Sequence, residues 1–229
     1  TAAISWVTLA SFGTMTVASA ADTPLVNIIT VGAYGVGKND ATFLKVDFTA
    51  NREDIYVKTV EIKRTFSGDS DFANVSLWDG TTQIGVDQTL VNTGIEGSSS
   101  TFSLPVASYW KIPAGTTKTL TVKADLNGAK TADFSGGVTT GDAPKLCLAS
   151  TTVEGVSSGI SIVPSSGIPS SEICGNVQIL HKSKPTVAAA SLPSTVFAAG
   201  TKTLYRWTVT ADSTGDIGWK KVIFDISGN

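Results

Sequence analysis

Histidine is almost absent from this chain: the 229 residues hold one, His181, beside a single methionine and two cysteines. A Ser–His–Asp arrangement would have to use His181. The plainer reading of His181 is an exposed residue beside a linker. Zinc sites gather several His and Cys ligands, which this composition does not supply. Charge is scarce as well. Asp, Glu, Lys and Arg make up 16%, well under the usual quarter, with a formal net charge of -2. No block of Lys and Arg runs along the chain, so the electrostatic footprint that phosphates require is missing and nucleic acid is not an expected partner. Neither an enzymatic activity nor a cofactor is expected.

Polarity comes instead from Thr and Ser, spread over the whole length and interleaved with Gly-containing turns. Thr, Val and Ile suit a pleated, half-buried surface because branching at Cβ restricts χ1. The chain therefore reads as all-β. From Pro24 onward short strands succeed one another. Phe43–Phe48 places its two phenylalanines on opposite faces, with Lys45 and Asp47 on the side of Phe43. Ile55–Ile62 follows. Val75–Trp78 runs into Asp79-Gly80 and returns through Gln83–Val86, a strong hairpin signal. Thr101–Leu104 and the alternating Lys118–Ala124 complete a set sized for an Ig-like Greek-key β-sandwich. No stretch beyond the N-terminus supports a helix of ordinary length.

The two cysteines, Cys147 and Cys174, form no CxxC or metal-ligand spacing. In an exported protein they are expected to close one disulfide around the Gly/Ser/Pro-rich stretch 155–175, worth roughly 3–4 kcal/mol in the loop-entropy account. Two unpaired buried thiols are the alternative.

Residues 1–23 form an apolar N-terminal arm, uncharged through Ala20. Three readings compete. Residues 1–20 resemble a signal-peptide core ending at Ala18-Ser19-Ala20, a weakly hydrophobic membrane anchor, or a retained arm. A membrane partner follows only from the second. A retained arm has to be buried in its own domain, a membrane or a neighbouring subunit. Ile4, Trp6, Val7, Leu9, Phe12, Met15 and Val17 are the side chains such an arm would bury, and Thr14–Val17 has the alternation of a donated β-strand.

A β-sandwich domain is expected over 24–181 and an incomplete second module over 182–229, separated by the linker-like His181–Pro185. The second module rests on an internal repeat. Residues 203–226 align with residues 42–64 with one inserted residue. Thr203, Arg206, Val209, Thr210-Ala211, Asp216-Ile217 and Val222 fall on Thr42, Lys45, Phe48, Thr49-Ala50, Asp54-Ile55 and Val60. A repeat at a spacing of about 160 residues means tandem domains rather than a solenoid. A fragment this short cannot bury Leu204, Trp207, Val209, Trp219, Val222 and Phe224 by itself. Either the natural chain continues past Asn229 or another chain supplies the missing strands.

Thr-Ala-Asn/Asp followed closely by Asp-Ile, Leu77-Trp78-Asp79-Gly80 and the run Pro113–Leu126 together resemble tandem β-sandwich domains of bacterial cell-surface proteins, including those of candidate-phylum bacteria. The likeness covers roughly 38–130 and 186–229. It implies surface layers, adhesins and filament subunits, and brings no catalytic residues.

Among small ligands, calcium has the best candidate site: Asp69, Asp71 and Asn74 offer hard oxygens in one loop, without the glycine and terminal glutamate of an EF-hand. A solvated turn explains the same residues. Asn74-Val75-Ser76 is a formal glycosylation sequon at a strand entry. Trp78, Tyr109 and Trp110 are candidates for a sugar-binding platform or for core packing. The leading expectation is a secreted, non-catalytic structural subunit of a filament, pilus or surface layer that associates with copies of itself. The rival is an adhesin or carbohydrate-binding module of a longer surface protein.

Overall fold

The computed structural model describes residues 12–66, 68–92, 97–133, 135–164, 171–196, 198–218 and 220–225. The elements in chain order are β1 (Thr14–Ser19), β2 (Asn27–Thr30), β3 (Lys38–Asn51), β4 (Ile55–Thr65), β5 (Phe72–Asp79), β6 (Thr82–Gln88), β7 (Val91–Asn92) and β8 (Ser98–Ser103). There follow β9 (Trp110–Ile112), β10 (Thr117–Leu126), β11 (Lys145–Gly155), β12 (Ser161–Ile162), β13 (Ile173–Cys174), β14 (Gln178–His181), β15 (Thr186–Ala189) and β16 (Trp207–Thr210). The protein is all-β. No α-helix occurs among the described residues, and none is long and apolar enough to cross a membrane.

One sheet runs β1-β3-β10-β5-β6 and a second runs β12-β11-β4-β8-β7, with β9 on β4 and β13 on β11. Their inner faces meet in a single core. Val46 and Phe48 of β3, Leu77 of β5 and Leu120 and Val122 of β10 belong to the same buried cluster as Ile55 and Ile62 of β4, Phe102 of β8 and Leu146 and Leu148 of β11. This is a β-sandwich, built by alternation along each strand. The outer faces carry the threonines. Thr49 and Thr117 share a hydrogen bond, as do Thr59 and Thr152, and Lys58 pairs with Glu154 across β4 and β11. Opposed Thr pairs and ion pairs are the cross-strand contacts that stabilise a solvated sheet face.

Two bulges set which residues face inward. Opposite β10, the register slips between Val122 and Lys123, so that Leu44 faces Val122 and Thr42 faces Lys123 while Phe43 is passed over. Phe43 therefore joins the core, fully buried, and stacks on Phe72 with ring centroids 5.4 Å apart. This corrects the expectation that Phe43 and Phe48 lie on opposite faces: an inserted residue in one strand reverses the parity beyond it. Lys58 is passed over in the same way opposite Thr152 and Val153, which turns the inward series from Ile55 and Val57 to Val60 and Ile62.

The hairpin joins β5 and β6 through Gly80-Thr81, with Asp79 opposite Thr82 and Gly80 at φ 60°. The two ends of the domain are tied by a parallel pair in which β14 lies beside β2, Gln178 facing Asn27 and His181 facing Thr30. Val31 N donates to His181 O and Gly32 N to Lys182 O, so the ordered sheet extends into what reads in the sequence as a linker. Gly128 sits where a Cβ would lie 2.0 Å from Ala33 O, a closeness that only glycine permits.

Candidate assembly surface

β1 lies antiparallel on the edge of β3, with Met15 opposite Ala50, Thr16 opposite Thr49 and Val17 opposite Phe48. Met15 and Val17 are buried in the chain's own core, while Thr14 and Thr16 face outward. Two side chains read as an arm presented to a neighbour thus complete the chain's own sandwich. The correction has a simple cause: β3 offers the nearest edge, and the alternation a donated strand needs is the same one an intramolecular strand needs. Phe12 is half-exposed at the entry to β1. Ile4, Trp6, Val7 and Leu9 lie outside the described residues.

Glu53 fastens the start of β1. It sits in the turn between β3 and β4, 8% exposed, and its carboxylate collects four donors. Gly13 N donates to Oε1 at 2.7 Å and Ser158 Oγ to the same atom at 2.8 Å. Ser157 N and Ser158 N each donate to Oε2 at 3.0 Å. Burial pushes the carboxyl's pKa up, but the hydrogen bonds from Gly13, Ser157 and Ser158 outweigh it and leave the pKa below the ordinary glutamate value.

The pair β15–β16 repeats β1–β3 residue for residue. Thr16-Val17-Ala18 faces Thr49, Phe48 and Asp47, and Thr186-Val187-Ala188 faces Thr210, Val209 and Thr208. Under the alignment of 203–226 with 42–64 these are the same partners. The bond that follows the strand also recurs: Ala20 N donates to Lys45 O at 3.0 Å, and Ala190 N to Arg206 O at 2.9 Å. The repeat therefore begins at least as early as Thr186, and the signal that could have found it is the shared Thr-Val-Ala.

What differs is cover. Val17 is 2% exposed and its counterpart Val187 is 63% exposed. Trp207 and Val209 are half-buried, and Leu204, Val222 and Phe224 are exposed. Phe224 packs edge-on against Trp207 with centroids 6.4 Å apart. Val187, Trp207, Val209, Ile217 and Val222 line a trough of about 240 Å³. Trp219 lies outside the described residues.

Cys147 and Cys174 are joined in a disulfide across β11 and β13, where they face each other directly. Asp71, fully buried, ends a single 3-10 turn that begins at Asp69, and Asn74 stands on β5 with Oδ1 enclosed and no hydrogen-bond partner. The side chain of Asp69 lies outside what is described. His181 closes β14.

The three candidate platform aromatics do not share a surface. Trp110 is buried edge-on against Phe48 at 5.2 Å and donates Nε1–H to Asp79 at 2.9 Å. Lys118 Nζ reaches the same Asp79 oxygen at 2.7 Å. Burial raises the Asp79 pKa, and the bonds from Lys118 and Trp110 overcome that and hold it below the usual aspartate value. Trp78, on the outer side of β5, is capped by the Lys123 ammonium 3.9 Å from its ring centroid. Tyr109 stacks on Tyr56 at the other sheet.

A disulfide-linked all-β sandwich followed by a strand pair copied from its own first sheet is the class these features define. Neither protein-family models nor curated proteins show a match to this chain.

Proposed function

We propose that the chain is a non-catalytic structural subunit of an extracellular assembly, a filament or surface layer, whose copies associate by sharing β-strands. The observation that carries this reading is the β15–β16 pair, which reproduces β1–β3 while leaving its apolar face in solvent. Contiguous exposed apolar surface marks interaction sites, and extended edges are the usual means of joining β-proteins. The disulfide supports an oxidising compartment and hence export. Dense Thr-rich cross-strand pairing on both outer faces suits a load-bearing module. Carbohydrate binding finds less support, because Trp78, Tyr109 and Trp110 are dispersed over the core and two sheets.

Light scattering and negative-stain electron microscopy of the purified chain test the reading. Concentration-dependent oligomers or filaments are expected, and they should be lost on replacing Val187 and Val209 with Asp. A monodisperse monomer at the highest soluble concentration overturns self-association.

A further inference from the structure

The chain passes from the sandwich to the β15–β16 pair within a few residues. On the sandwich side Lys182 O accepts from Gly32 N at 3.0 Å and His181 O from Val31 N at 2.9 Å. The other flank of β14 is held as well: Leu180 N donates to Asp142 O, and Leu180 O accepts from Gly141 N, both at 2.7 Å. Lys182 is therefore anchored to the sandwich. Only Ser183, Lys184 and Pro185 separate it from Thr186, the first residue of β15. The Pro185 ring fixes its own φ and confines Lys184 to extended backbone, so this segment lacks the free torsions of a Gly/Ser linker.

The turn after β16 closes on the same residue. Gly215 N donates to Asp212 O at 3.2 Å, and Thr214 N to Asp212 Oδ1 at 2.9 Å. Thr214 Oγ1 lies 2.7 Å from that carboxylate oxygen and 3.1 Å from Lys182 O, with one proton shared between them. Hydrogen bonds from the Thr214 amide and hydroxyl, and then from the Lys184 amide, hold the Asp212 carboxyl below the ordinary aspartate value. The Lys182 stem lies over Gly215, where a Cβ would come within 3.2 Å of Cε. The Thr214 methyl lies over Gly32, 3.6 Å from where a Cβ would stand. The first sheet has the same device: the turn after β3 holds Gly13, the residue before β1, through Glu53. With Thr16 matched to Thr186, Gly13 corresponds to Ser183, the neighbour of Lys182.

We infer that Lys182 and the turn 212–215 form a locked joint, which holds the β15–β16 pair at one angle to the sandwich. Lys182 O is the shared point, taking a donor from Gly32 on one side and from Thr214 on the other. Independent motion is the ordinary behaviour of units joined by a small interface. Here a short, proline-stiffened crossing and a clasp at its start suppress that motion. The joint lies within one chain and holds in the monomer, so it stands or falls separately from self-association.

Double electron–electron resonance on the full chain tests it, at a concentration where light scattering reports monomer. Nitroxides are attached at Thr101→Cys and Thr208→Cys, exposed positions of β8 and β16, the native cysteines being joined to each other. A single narrow distance distribution is expected. Inserting Gly-Ser-Gly-Ser after Ser183 supplies the loose reference, since such a segment spans roughly 11 Å r.m.s. with no preferred direction. It should widen the distribution at least about twofold. Thr214→Val combined with Asp212→Ala removes the clasp, keeps the length of the crossing, and should widen the distribution toward that reference. A native distribution as wide as the reference overturns the joint, and this comparison needs no change in the clasp, so misfolding of the double variant does not spoil it. A narrow distribution that the double substitution leaves unmoved, in a variant with native circular dichroism, overturns the role of Lys182 and the turn.

Discussion

Replacing Glu53 with Gln isolates the clamp that fastens β1. The change keeps volume and removes one charge. Glu53 accepts four hydrogen bonds, two on each oxygen. Gln retains one acceptor oxygen, best used facing the Ser157 and Ser158 amides. Its NH2 then faces Gly13 N, which loses its acceptor, while the Ser158 hydroxyl can rotate. An orphaned buried amide costs about 1–3 kcal/mol, and each remaining bond changes from charge-assisted to neutral. The sum is about 2–4 kcal/mol, or a melting point lower by about 5–15 °C for a domain of this size. The pH dependence has a definite sign. A carboxyl whose folded pKa is depressed contributes stability fully above its unfolded value, near 4.5, and loses it as pH falls through the folded pKa. The gap between native chain and variant should therefore be widest at neutral pH and shrink as pH falls through the depressed folded pKa. Thermal unfolding by circular dichroism measures it, and hydrogen exchange at Gly13 reports whether β1 is the part released. An unchanged midpoint at neutral pH, or a gap constant across the acid range, refutes the role assigned to this carboxylate.

Cys147→Ser opens a loop closed over a sequence separation of 27 and should cost about 3.5 kcal/mol in chemical denaturation, matched by adding reductant to the native chain. Val17→Asp should destabilise the sandwich by about 3 kcal/mol or more, because it leaves a charge in the core. The equivalent Val187→Asp should change monomer stability by less than about 0.5 kcal/mol, since that side chain is in solvent. A comparable loss at both positions in the dissociated chain would show that the β15–β16 face is covered within one molecule.

Much of the sandwich is legible from alternation. The Asp79-Gly80 hairpin and the Lys118–Ala124 run stand where their patterns place them, because a two-residue turn and a half-buried strand are local devices. Alternation fails at the bulges. Phe43 reads as facing outward and is buried, since parity cannot reveal an inserted residue in an otherwise regular strand. β11 gives no alternating signal either: Leu146, Cys147 and Leu148 are buried in succession, and a register slip between Leu148 and Ser150 follows. β2 and β14 are too short to be recognised alone and owe their form to pairing across about 150 residues of chain, a non-local contact that no window contains.

The sequence by itself determined the all-β class and the cysteine pair and showed the likeness of 203–226 to 42–64, because β-branched composition, spacing and self-similarity act through local backbone preference. Tertiary structure alone decided where the repeat begins and that β1 belongs to the chain's own sandwich. Those depend on which carbonyl each amide finds across the sheet, and hydrogen-bond parity is a relation between strands rather than a property of either one.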